Sequence, residues 1–373
     1  MDRVCVGLVG TGYMGKCHAL AWNAVGPIFG DCPEIELMHL ADANADRARG
    51  KAKAFGFARS TGDWRDVVAD PVVNVVSVTV PNELHSEIAI AALQAGKHVW
   101  CEKPMAPRLD DAIAMREAAR QSGRVAVLGY NYIQNPLIRY VGELLTDGAI
   151  GEVNHIRVEM DEDFMADPTV PFSWRNESRT GYGALDDFAV HPLSLIRTLF
   201  GRLGFVMTDM AKPYAKRPLS EGGSRSVETH DVASVLFRLE DGASGVLMAN
   251  RSAWGRKGRI ALQVFGSKGS ILYDQERMNE VRVYRAGGPA ADAGYATVLA
   301  GPAHRHYDNF VPAPGHGLGF NDLKVIECRH LLSAMSGASA HLIDFEKGVE
   351  IERAVHAMAR SFKEHCWIDV AYD

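Results

Sequence analysis

The sequence offers no stretch approaching the ~18 consecutive apolar residues that a membrane-spanning helix needs. A strand-like run, Val4–Val9, starts almost at the first residue, which leaves no space for a charged head, apolar core and cleavage site ahead of folded structure. Cysteine is sparse: Cys5, Cys17, Cys32, Cys101, Cys328 and Cys366 are the only ones. They show no Cys-x-x-Cys pair and no regular spacing, so neither a disulfide frame nor a zinc site is expected. An excess of positive charge is also missing: 40 Lys and Arg stand against 46 Asp and Glu, a formal net charge of −6. Nothing in that balance favours nucleic acid or an anionic membrane as partner. Internal repeats and low-complexity linkers are absent too. These absences lead to the expectation of a cytoplasmic globular protein without a metal.

What is there is ample core material. The 373 residues are 47% hydrophobic, enough for two domains. The first part alternates apolar strands (Val4–Val9, Ile35–Ala41, Val72–Val80, His98–Trp100, Val125–Gly129) with helical patterns (Met14–Val25, Ala45–Phe55, Glu83–Ala95, Asp110–Ser122). That order implies βαβ units on a parallel sheet, an α/β Rossmann arrangement. After a further helix near Ile133–Thr146, strands dominate: Val153–Glu159, Ala233–Leu239, Ala243–Asn250, Ile260–Phe265 and Val281–Tyr284. Asp241-Gly242 is a hairpin signal, and helical segments Asn321–Met335 and Phe345–Lys363 close the chain. The expectation is a Rossmann domain over residues 1–129 and an α+β domain with a large, mostly antiparallel sheet over 130–373.

Gly10-Thr11-Gly12-Tyr13-Met14-Gly15 follows the first strand and opens the first helix. Glycine-rich turns are common, but strand, glycines, helix, strand and then an acid is the dinucleotide pattern. Gly10 permits the turn, Gly12 lets backbone approach a pyrophosphate, and Gly15 lets helix and strand pack closely. The helix N-terminus offers free N–H groups to the phosphates. Asp42 ends the second strand, farther along than the usual ~20 residues because of the loop Gly26–Pro33. Its carboxylate would accept the ribose hydroxyls and repel a 2′-phosphate, which selects NAD over NADP.

Two further segments hold chemistry: Pro81-Asn82-Glu83-Leu84-His85 with Trp100-Cys101-Glu102-Lys103-Pro104, and Gly181-Tyr182-Gly183-Ala184-Leu185-Asp186-Asp187-Phe188-Ala189-Val190-His191. Glu-Lys-Pro together with Asp-x-x-x-His resembles the glucose–fructose oxidoreductase / inositol dehydrogenase / rhizopine-catabolism (Gfo/Idh/MocA) family, along essentially the whole chain. The resemblance implies a catalytic set of Lys103, Asp187 and His191. Histidine titrates near neutrality and suits proton removal from an alcohol; a fixed lysine stabilises developing alkoxide; Asp187 would orient the imidazole or hold the hydroxyl. It further implies cofactor contacts from Tyr13, Met14, Pro81, Asn82, His85, Glu102 and Lys103. Pro192 leaves two readings of the local backbone, a helix beginning there or one that kinks. Ser194 stands where the family often has an acid.

Asp161–Pro168, Pro171–Arg175, Gln275–Glu280 and Gly315–Asn321 resemble the branch with scyllo-inositol and L-glucose dehydrogenases, with levoglucosan dehydrogenases further off. That implies a cyclitol or pyranose, with Lys103, Asn131, Arg175, Asp187, His191 and His316 as candidate substrate contacts. Trp174 and Arg175 are alternatively placed at the nicotinamide end of the cofactor. His304 and His306 lack acidic or thiolate neighbours and are not read as metal ligands. Family habit implies a homodimer or homotetramer. An NAD-assisted glycosidase with transient redox and a non-catalytic dinucleotide sensor remain as alternatives to the dehydrogenase.

Overall fold

The computed structural model describes residues 2–372, which form two compact units. They interleave in sequence instead of dividing at 129/130: Met1–Gln134 with Leu318–Val349, and Asn135–Gly317 with Glu350–Asp373.

The first unit is built on a seven-stranded sheet. Its six N-terminal strands are Arg3–Val9, Glu34–Ala41, Arg59–Thr61, Val75–Val78, His98–Cys101 and Ala126–Leu128. They are all parallel and lie in the order 3-2-1-4-5-6, the dinucleotide-binding order. Ile343–Asp344 adds an antiparallel edge strand beside Ala126–Leu128. Val4, Val6, Leu8, Val75, Val76, Val78, Val99 and Trp100 are all buried, as a parallel sheet covered on both faces requires. The strand anticipated over Val72–Val80 is shorter, Val75–Val78; Val72 is exposed, and beyond the strand the Thr79 N–H still donates to the Val9 carbonyl at 2.9 Å while its hydroxyl donates to the Val9 and Gly10 carbonyls. The first helix runs on to Phe29, with Pro27 tolerated near its end and Gly30, φ +75°, closing it.

The second unit holds a nine-stranded sheet. Its order is Ala296–Leu299, Glu280–Arg285, Gly269–Asp274, Lys257–Gly266, Val153–Glu162, Ser244–Asn250, Val232–Leu239, Leu203–Ala211 and Ile368–Asp369. Neighbours are antiparallel except Val153–Glu162 with Ser244–Asn250. Asp241-Gly242 makes the anticipated turn, with Gly242 at φ +95° donating its N–H to the Leu239 carbonyl at 3.0 Å. One face buries Ile156, Val158, Val235 and Leu247; on the other Phe205, Leu236 and Met248 are exposed.

Candidate active site

In the first unit the carboxyl ends of the parallel strands gather the predicted cofactor residues on one edge. Gly10 stands at φ +95°, and a Cβ there would come within 2.6 Å of the Thr79 carbonyl oxygen; at Gly15 it would lie 2.2 Å from the Gly10 carbonyl oxygen. These two glycines are demanded by the packing of turn on strand and helix on turn. Gly12 differs: a Cβ there meets nothing within 4 Å. It fronts open space at the N-terminus of the helix Tyr13–Phe29, whose first turn carries no acidic residue. A pyrophosphate fits that cradle by both shape and charge.

Asp42 is buried and holds the next position on the edge. Its Oδ2 accepts the Thr11 N–H at 3.2 Å and the Thr11 hydroxyl; its Oδ1 accepts Asn44 N–H at 3.0 Å and Arg47 Nε at 2.9 Å. Burial works against ionisation, yet the hydrogen bonds from Arg47, Thr11 and Asn44 hold the carboxyl below its usual range. Arg47, itself half exposed, was not anticipated from the sequence.

Glu102 and Lys103 extend beyond the strand His98–Cys101. Glu102, expected at the cofactor, is buried in an ionic cluster, with Oε1 2.9 Å from His18 Nε2 and 2.6 Å from Lys324 Nζ. Lys324 also donates to Glu327 at 2.8 Å. Burial alone would push Glu102 up, but the Lys324 ammonium and the His18 hydrogen bond hold it far below the usual carboxylate range. The other oxygen, Oε2, accepts the backbone N–H of Lys103 at 3.3 Å. Glu102 thus fixes the turn that presents the partly exposed Lys103. A Cβ on Gly129 would lie 2.4 Å from this carboxylate, so glycine is needed beneath it. His85, also expected at the cofactor, is buried with Nδ1 2.8 Å from the Pro104 carbonyl oxygen and Nε2 3.0 Å from that of Val80. It clamps the Pro81 turn to the Lys103-Pro104 turn, and its ring nitrogens face protein. Tyr13 and Pro81 are exposed, Met14 partly so, and Asn82 buried. Asn131, in the short turn after Ala126–Leu128, is buried with no hydrogen-bond partner for Nδ2 among the described residues. An unsatisfied buried donor costs about 1–3 kcal/mol, a cost that an acceptor on a ligand removes.

In the second unit, Gly181–His191 folds back on the strand ends. Gly183, φ +95°, bridges His230, and a Cβ there would lie 2.4 Å from the His230 carbonyl oxygen. Leu185–Ala189 forms a wide π-type turn and the α-helix Val190–Leu199 follows directly. Pro192 therefore falls within a continuous helical run, just after the π-type turn ends; the helix does not start at Pro192, and the π-type turn is the local irregularity beside it. Asp187 Oδ2 lies 3.6 Å from Arg175 Nε and 3.6 Å from Arg251 Nη1. His191 is buried one turn further on. Ser194 turns its hydroxyl back to the His191 carbonyl at 2.7 Å and so serves the helix. Arg175 stacks on Trp174, 4.3 Å from guanidinium to ring centroid. His316 is exposed on a loop. Arg251, almost wholly buried, donates to Asp231 at 2.7 Å; sequence reading missed both. Among the described residues no group of three His, Cys, Asp or Glu is placed to hold a metal, and no helix is long and apolar enough to cross a membrane.

A doubly wound sheet in this strand order, a glycine cradle at a helix N-terminus and an acid at the next strand end define an NAD-binding oxidoreductase. Residues 4–141 match the family model described as oxidoreductase family, NAD-binding Rossmann fold, and residues 138–272 match the Gfo/Idh/MocA C-terminal domain. The chain belongs to the Gfo/Idh/MocA family. It is 34% identical to levoglucosan dehydrogenase of Pseudarthrobacter phenanthrenivorans, over 99% of each chain. A solved levoglucosan dehydrogenase, in complex with NADH and L-sorbose, superposes with TM-score 0.96 at 35% identity, covering 99% of each chain. Myo-inositol 2-dehydrogenase of Thermotoga maritima is 26% identical, over 74% of this chain and 77% of that one.

Proposed function

We propose that this chain is an NAD-dependent dehydrogenase that oxidises a secondary hydroxyl on a pyranose or cyclitol ring, with anhydropyranoses such as levoglucosan among its substrates. The observation that carries the reading is the Asp187 carboxylate held by Arg175 and Arg251 one helical turn before His191. The full-length likeness to levoglucosan dehydrogenase supports the sugar class.

NAD held at the glycine turn would supply a hydride acceptor for the carbinol carbon. Gly10, Gly12 and Gly15 shape the cradle for its phosphates, and Asp42 accepts the ribose hydroxyls. His191 takes the hydroxyl proton, Lys103 stabilises the developing alkoxide, and Asp187 orients the imidazole or holds the substrate hydroxyl. The carbinol becomes a ketone, with one NADH and one proton released. Asn131 offers its buried amide to an oxygen of the bound ligand, and Trp174 with Arg175 forms a flat cationic wall against a sugar ring or the nicotinamide. The exposed Phe205, Leu236 and Met248 on one sheet face supply an apolar surface that a second copy of the chain would cover in a homodimer or homotetramer.

Incubation with NAD and a panel of levoglucosan, myo- and scyllo-inositol, D- and L-glucose, lactate and ethanol, followed by NADH absorbance, tests the reading. Sustained NADH formation with at least one sugar or cyclitol, and little with lactate or ethanol, is expected. Cleavage of aryl glycosides without net NADH would replace it with the transient-redox glycosidase, and NADH binding without any turnover with the sensor. Size-exclusion chromatography of Leu236→Glu should show smaller particles than the wild type.

A further inference from the structure

Arg251 and Arg217 are two of the largest wholly buried side chains in the second unit, and the chemistry above uses only one contact of Arg251, that with Asp187, and none of Arg217. Buried guanidinium groups persist only where their charge is matched. The match is a ladder of alternating sign. Arg251 reaches Asp187 with Nη1 at 3.6 Å and Asp231 with Nη2 at 2.7 Å and Nε at 3.2 Å. Asp231 Oδ2 lies 3.9 Å from Arg217 Nη2. Arg217 in turn donates to the carbonyl oxygens of Met165, at 2.5 Å, and Asp167.

The backbone closes the same circuit. Met165 N–H donates to the Arg251 carbonyl at 2.9 Å, and Arg251 N–H to that of Asp231 at 2.9 Å. A Cβ on Gly183 would lie 3.0 Å from Arg251 Nη2, so the turn that carries Asp187 closes directly over this guanidinium.

We propose that Arg251 is a positioning residue: it fixes the Asp187 carboxylate and, through Asp231 and Arg217, ties it to the loop around Met165. The inference rests on the dehydrogenase reading and on the role given there to Asp187. Arg251 has one fork for two carboxylates. A lysine keeps the charge but cannot serve both geometries at once.

The test is a cycle of Arg251→Lys, Asp187→Asn and the double variant, with kcat, KM and NADH binding measured for each on the best substrate of the panel. Arg251→Lys should lower kcat about 10- to 100-fold, while NADH affinity changes less than about threefold. On the Asp187→Asn background the same change should cost less than about threefold, because Arg251 acts through Asp187. Equal losses on both backgrounds would overturn the proposal, as would wild-type kcat in Arg251→Lys. Hydrogen exchange supplies a readout independent of turnover: in Arg251→Lys, amides around Met165 and in 181–191 should exchange at least about tenfold faster than the same amides in the wild type, while the rest of the sheet is unchanged. Unchanged exchange there refutes the ladder. An inactive wild type would refute the dehydrogenase reading alone, and the exchange result would still judge the ladder.

Discussion

Replacing Asp42 by alanine should move cofactor preference from NAD toward NADP, and Arg47 sets how far. The carboxylate sits on the carboxyl edge of the sheet, buried, kept ionised by Arg47, Thr11 and Asn44. A 2′-phosphate about 4 Å from it would meet a repulsion of about 1 kcal/mol if solvated as in water and about 4 kcal/mol at the effective dielectric of a protein surface. That corresponds to roughly fivefold to a thousandfold in the ratio of kcat/KM values for NAD and NADP. Removing the carboxylate does more than lift this penalty. Arg47 presently spends Nε and Nη2 on Asp42, at 2.9 and 2.5 Å. Without that partner its fork is available to a phosphate, a charge-assisted contact of about 1.5–3 kcal/mol. Asp42→Ala should therefore raise NADP use in absolute terms while lowering NAD use. Asp42→Ala/Arg47→Ala should lose the gain on NADP. Steady-state kcat/KM with each cofactor decides it. Equal losses with both cofactors in Asp42→Ala, or NADP use in the double variant matching the single one, would refute the role of this pair.

Lys103→Ala and His191→Ala should each cut kcat about 10²–10⁴-fold, with NADH binding followed by fluorescence nearly unchanged; near-wild-type turnover in either variant removes that residue from the chemistry. Gly183→Ala forces a Cβ to 2.4 Å from a backbone oxygen at φ +95° and should lower both the melting temperature and kcat; a wild-type melting curve would count against the close packing of that turn. Asp186 is buried and burial pushes its carboxyl up to about 7. Its folded value lies above the unfolded one, so its contribution is fully present below pH ~4 and is lost as pH rises to 7, by up to about 4 kcal/mol. Urea unfolding of Asp186→Asn should thus gain on the wild type as pH rises from 4.5 to 7, and a pH-independent difference would contradict the buried, protonated acid.

The parallel domain was legible because its signals are local and redundant. Alternation of strand and helix, the glycine spacing and Asp42 all sit in one window, and five of its strands were read within a few residues. Arg59–Thr61 and Trp64–Ala69 escaped because elements this short show no period. In the second sheet Leu203–Ala211, Gly269–Asp274, Ala296–Leu299 and Ile368–Asp369 were missed: the first mixes methionines with threonine and aspartate, the second opens on glycine and serine, and the last two are too short to show a period. The return of Leu318–Val349 to the first unit was hidden for a different reason. A helix's periodicity says that it has a buried face, not which sheet or helix that face meets. His85 and Glu102 were read as cofactor contacts from their motifs. Their burial comes from long-range partners, Pro104 for the one and His18 and Lys324 for the other, that no motif encodes.

Asp231 and Arg251 were the costliest omissions, yet a signal for them existed. In the strand Val232–Leu239 the inward residues are Ala233, Val235, Phe237 and Leu239; in Ser244–Asn250 they are Gly245, Leu247 and Ala249. Side chains alternate along a strand, so residues 231 and 251 share the inward parity, one step beyond each strand. The hairpin turn at Asp241-Gly242 sets the antiparallel register, in which Val232 faces Asn250 and positions 231 and 251 therefore adjoin. Opposite charges at adjoining inward positions are a cross-strand pair directed into the core, and a charge there survives only if something needs it. The hairpin and both strands were in hand from the sequence. Extending their parity to 231 and 251 points to a buried ion pair from the sequence alone; that it lies beside Asp187 is a tertiary contact that the hairpin does not encode.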